Sequence, residues 1–104
     1  MAITGTGTQV LKVTSTDTVT GAHAGLQSTD KLMLDQLRWT GVGTGGDDLK
    51  VSAEINDTTT ILFELKGAQY SDNKLEFHGH KCGFAVDKLV VNTIDSGSLY
   101  VYLR

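Results

Sequence analysis

The sequence predicts an all-β protein: an antiparallel β-sandwich, jelly-roll or immunoglobulin-like, of about 7–8 short strands with little helix. Three observations carry that prediction. The 104 residues include 14 Thr, which suits strands, and 12 Gly, which suits turns, but no Pro. Polar turn signals recur about every ten residues. Leu49, Val51, Ala53 and Ile55 alternate with Lys50, Ser52, Glu54 and Asn56, the period of two that a half-buried strand needs. A chain of this length fits one domain that can bury a core unaided, and Cys82, its sole cysteine, leaves no intrachain disulfide to help.

Residues 1–8, rich in Thr and Gly, read as a flexible N-terminal arm, and residues 9–104 as a single sandwich domain. The opening lacks the basic and apolar segments of a signal peptide, and no apolar run approaches the roughly 20 residues needed to cross a bilayer. Residues 9–15 alternate as a strand. Residues 17–30 read as a loop interrupted by Gly21 and Gly25, with room for a short strand around Thr18 to Thr20.

The next segment, residues 31–40, holds Leu32, Leu34, Leu37 and Trp39, and the step of three between Leu34 and Leu37 breaks a period of two. A strand with a β-bulge near Asp35-Gln36 accounts for the break; the alternative is a short amphipathic helix over residues 28–37, capped by Ser28 or Asp30. The strand is preferred because its neighbours are strand-like and Trp39-Thr40 runs into the turn Gly41-Val42-Gly43-Thr44-Gly45-Gly46-Asp47-Asp48, read as a flexible hairpin loop. Asn56-Asp57-Thr58 is a second turn, and the strand after it should place Ile61, Phe63 and Leu65 on one face. Residues 74–78 and 83–86 supply further short strands. Residues 88–94 and 98–103 flank Asp95-Ser96-Gly97-Ser98 and read as a closing hairpin. There Leu99, Val101 and Leu103 face the core, leaving Tyr100, Tyr102 and Arg104 as a candidate subunit interface.

Charge and motif searches narrow the function. Nine Lys and Arg against 12 Asp and Glu give a formal charge of −3, the wrong sign for sequence-independent binding of nucleic acid. The glycine-rich loop ends in Asp47-Asp48 where a phosphate-binding loop needs Lys and Ser or Thr, and a strand follows it instead of a helix. Glu76, His78, His80 and Cys82 would share one side of an extended backbone, and all four are competent zinc ligands. Gly79 allows a turn that would destroy such a face and no partner ligand motif supports it, so exposed histidines beside a buried free cysteine are the expectation and no cofactor is predicted. Asp47-Asp48 and Asn56-Asp57 lack the spacing of a calcium loop. No serine lies in a nucleophile elbow, and nothing local activates Cys82, so no enzyme is expected. Trp39, Tyr70, Tyr100 and Tyr102 would suit a sugar-stacking platform, with a core position the alternative for Trp39.

Leu37-Arg38-Trp39-Thr40-Gly41-Val42-Gly43-Thr44-Gly45-Gly46-Asp47-Asp48-Leu49-Lys50-Val51, followed by residues 86–103 with Asp95-Ser96-Gly97 and the aromatic strand, resembles a group of small all-β virion proteins of tailed bacteriophages. The shared motifs span roughly the second two-thirds of the chain and are structural, not catalytic. The resemblance implies a capsid decoration (cement) protein that binds the major capsid protein or other virion proteins, or else a part of the head–tail junction or tail. It also implies a homo-oligomer, with a trimer at a symmetric capsid site as the form to test, made in the host cytoplasm and carried in the virion. A carbohydrate-binding module using Trp39 and the Tyr100/Tyr102 face is the rival from another class.

Overall fold

The computed structural model describes residues 3–4, 10–25, 30–43, 45–66, 73–76 and 84–103. Within them lie ten strands and a single 3-10 turn. The strands are β1 (Ile3–Thr4), β2 (Val10–Val13), β3 (Asp17–Val19), β4 (Leu32–Thr40), β5 (Asp48–Ile55), β6 (Thr58–Lys66), β7 (Asn73–Glu76), β8 (Phe84–Val86), β9 (Lys88–Ile94) and β10 (Ser98–Leu103); the turn spans Gly21–Ala24. They build a six-stranded sheet, ordered β1-β2-β10-β4-β7 with β8 also on β4, and a four-stranded sheet, ordered β3-β9-β5-β6. Every pairing is antiparallel.

The pairings resolve the choice left open by the sequence. β2 pairs with β10, β3 with β9, β4 with β7 and β5 with β6. A long antiparallel hairpin rolled upon itself has this nesting, and divided over two sheets it is a jelly roll. β1 and β8 are additions to that frame.

Two sheets with one apolar face each must bury those faces against each other. Ile3, Val13, Leu99 and Trp39 form one row across four strands of the larger sheet, and Leu11, Val101 and Leu37 form the next. All seven are buried, and Val19, Leu89, Val91, Leu49, Val51 and Ala53 face them from the smaller sheet. Ile3 and Thr4 fall inside the stretch read as an arm. They pair with Val13 and Lys12, and Ile3 is buried because it completes the first apolar row.

β4 is a strand throughout. Tyr102 of β10 stands opposite Gln36 and Leu103 opposite Leu34, so Asp35 is the extra residue of a bulge and the step of three keeps Leu34 and Leu37 both inward. A second bulge changes an expectation. Val51 pairs with Phe63 but Ser52 pairs with Ile61, so Leu62 is inserted and Ile61 turns to the outer face, 49% exposed, instead of sharing a face with Phe63.

The largest correction concerns connections. The chain segment at 95–97 closes no hairpin, because β9 belongs to the smaller sheet and β10 to the larger. The glycine-rich loop likewise runs from β4 in one sheet to β5 in the other, with Val42 buried as its anchor. Both are arches across the core. Among the described residues only Asn56-Asp57, with φ of 51° and 63° between the paired residues Ile55 and Thr58, makes the two-residue hairpin turn its composition suggests.

Candidate interaction face

The two arches lie at one end of the sandwich and are bonded to each other. The buried Trp39 indole N–H donates to the Ser96 carbonyl at 2.9 Å. The Ser96 hydroxyl accepts from the Gly43 N–H at 2.9 Å and donates to the Asp47 carboxylate at 2.5 Å. The Asp95 carboxylate accepts the Asp48 N–H at 2.8 Å, while the Asp95 N–H donates to the Asp48 carbonyl at 3.0 Å. Gly97, at φ +76°, sits so close to Thr40 and Gly41 that a Cβ there would overlap the Thr40 carbonyl oxygen. The Lys66 ammonium donates to Asp48 at 2.9 Å and closes the joint from β6. That hydrogen bond holds the Lys66 pKa above its ordinary value.

This joint gives Asp47, Asp48, Asp95 and Ser96 of the two sequence motifs a structural task. Asp47, Asp48 and Asp95 bind backbone, hydroxyl or ammonium groups, and among the described residues no group of three His, Cys, Asp or Glu is placed to hold a metal ion. Glu76 lies on β7, within 3.2 Å of Lys74, whereas His78, His80 and Cys82 fall outside the described residues. Tyr70 and Arg104 also fall outside them. Trp39 is fully buried in the core, so it leaves the sugar-stacking platform.

Tyr100 and Tyr102 lie half-buried on the outer face of the larger sheet, opposite in direction to the buried Leu99 and Val101. β10 is a central strand, so its neighbours complete the face. Tyr100 stands between Lys12 of β2 and Arg38 of β4, and Arg38 stands opposite Lys74 of β7. Tyr102 stands between Val10 and Gln36, and Gln36 stands opposite Glu76. One row therefore reads Lys12, Tyr100, Arg38, Lys74, and the adjacent row reads Val10, Tyr102, Gln36, Glu76. Val10 is 40% exposed, one of two exposed large apolar side chains among the described residues.

The face thus combines aromatic groups with three cations, one of which, Lys74, is paired with Glu76 of the adjacent row, on a chain of net charge −3. Cations flanking a ring favour its π-face, and aromatic plus Arg composition marks the centres of protein interfaces. Sequence reasoning found the tyrosines but missed Lys12, Arg38 and Lys74. Their signal is register, which a strand pattern read one segment at a time does not contain.

Comparison of the chain with protein-family models, with curated proteins and with solved structures yields no match.

Proposed function

We propose that this chain is a non-enzymatic structural protein of a tailed-bacteriophage virion, a capsid decoration protein that binds and stabilises the major capsid lattice. The observation that carries the reading is the joint between the arches. The two segments that resemble phage virion proteins are far apart in sequence, Trp39 and Ser96 being 57 residues apart, yet they form one hydrogen-bonded unit. The two stretches on which the resemblance rests thus meet at one place in this fold, which supports reading them together. The jelly roll adds support by analogy of fold, since viral capsid domains use it, although lectins do too.

Decoration needs no catalytic group. A repeating lattice offers many identical contacts, so modest individual affinities sum through multivalency. The Tyr100/Tyr102 face with Lys12, Arg38 and Lys74 is the surface we assign to that contact, and its charge suits an acidic neighbour. The head–tail junction is the second place in a particle where such a face would serve. Adding the purified chain to capsids that lack it, followed by sedimentation and image reconstruction, tests the assignment. Density at regular lattice sites is the expected result, density confined to the portal vertex or tail moves the protein there, and no binding to any particle overturns the reading.

A further inference from the structure

The strand registers lay out three rows on the outer face of the smaller sheet. Lys50 of β5 stands between Glu64 of β6 and Thr93 of β9, Ser52 between Ile61 and Val90, and Glu54 between Thr59 and Lys88. The Leu62 bulge turns Ile61 into the middle row, where it is 49% exposed. A second insertion, Asn92 in β9, accepts the Ser52 hydroxyl at 2.6 Å. Ser52 is only 3% exposed and already satisfied, so covering the row from Ile61 to Val90 leaves no serine hydroxyl unpaired. Charges flank that row on both sides, Lys50 and Glu64 on one, Glu54 and Lys88 on the other. They cancel, on a chain whose formal charge is −3.

We infer that this face is a homotypic contact, at which two copies of the chain stack smaller sheet on smaller sheet about a two-fold axis along the middle row. Such an axis sets Ile61 against Ile61 of the second copy and Val90 against its Val90, and it exchanges the two flanking rows. Lys50 then faces Glu54 of the second copy and Glu54 faces its Lys50, while Glu64 faces Thr59 and Lys88 faces Thr93. No like charges stand directly opposed, and because the contact is isologous the ion pair forms twice. An axis along the strands fits less well. Through β5 it opposes Lys50 to Lys50, and to either side of β5 it sets Ile61 against Ser52 or Thr18. A partner of another kind would have to supply this alternation of charge, whereas a second copy carries it already. Four strands about 4.8 Å apart, with β5 running 8 residues at about 3.3 Å each, bound the face at roughly 500 Å² per copy, which places the dimer among weak, reversible ones. The contact lies on the opposite sheet from the Tyr100/Tyr102 face and stands whether or not that face binds a capsid.

Ile61 tests the axis, because it faces itself there and stands opposite the uncharged Ser52 in its own chain. It is half exposed and outside the core, so Ile61→Lys and Ile61→Asp keep the fold, which circular dichroism verifies. Sedimentation of the wild-type chain from about 1 μM to about 1 mM, with a thiol reductant so that Cys82 links no copies, is expected to show a monomer–dimer equilibrium. Each variant alone sets like charge against like across the axis and should weaken self-association by roughly tenfold or more. An equimolar mixture of the two sets ammonium against carboxylate and should give a 1:1 heterodimer. A wild-type chain that stays monomeric throughout, single variants that dimerise as well as wild type, or a mixture that remains monomeric would each overturn the inference.

Discussion

Trp39 joins the core to the joint between the arches. Its ring is the largest fully buried side chain, and its one polar atom reaches the Ser96 carbonyl. Both facts are needed, because a buried indole N–H without an acceptor is costly. Trp39→Phe removes the bond and part of the volume and should destabilise the domain by about 2 kcal/mol in urea unfolding followed by circular dichroism. A loss below about 0.5 kcal/mol would mean that the bond contributes nothing net. Gly97 is the second residue on which the joint turns. Gly97→Ala meets both a left-handed φ and the Thr40 carbonyl, whereas Gly46→Ala, at φ +92° with open space around it, meets the backbone strain alone. The expected losses are at least about 2–3 kcal/mol and about 1 kcal/mol respectively, so equal melting temperatures for the two variants would contradict the close approach.

At the scale of elements, Asp87 is the one residue between β8 in the larger sheet and β9 in the smaller. Its N–H donates to the Glu54 carbonyl, and its carboxylate accepts from the Lys31 ammonium and the Asn56 N–H. The Lys31 hydrogen bond first, then that of Asn56, hold the carboxyl below its ordinary 3.8. A folded-state pKa below the unfolded one means that this contribution is full above 3.8 and disappears as pH falls through the folded value. Asp87→Asn should therefore lower stability at neutral pH and flatten its acid dependence below about pH 5, the two curves converging once Asp87 is protonated. Parallel curves over that range would remove Asp87 from the corner's support. The strands were largely legible in the sequence, even the bulge at Asp35, because an apolar step of three inside a period of two has few other causes. The connections were not. An arch and a hairpin both need a short polar turn between apolar strands, and what separates them is which sheet receives the next strand, a long-range fact. The Leu62 bulge escaped for a related reason: Ile61, Leu62 and Phe63 are all apolar, so no break in pattern marks the insertion.

The whole molecule presents one arrangement that neither its residues nor its strands presents alone. Nesting the chain as a jelly roll brings β2, β10, β4 and β7, drawn from both ends and the middle of the sequence, into one sheet. Lys12, Arg38, Lys74 and the two tyrosines meet on its outer side only because of that order. Half-buried side chains on an outer face add little to folding; each cross-strand pair contributes about 0.2–1 kcal/mol. If the face exists for binding, stability and attachment must separate. Tyr100→Ser with Tyr102→Ser should lower stability by no more than about 2 kcal/mol, the domain remaining folded. The same pair should remove most particle binding, because aromatic anchors at the centre of an interface carry a disproportionate share of its energy. Lys12→Glu should act differently. A charge beside such an anchor governs encounter and its salt dependence more than residence, so binding should slow and become less sensitive to ionic strength. The measurement is binding of folded variants to capsids at two salt concentrations. Tyrosine variants that unfold would return those rings to the core, and folded tyrosine variants that bind like wild type would move the attachment surface elsewhere on the sandwich.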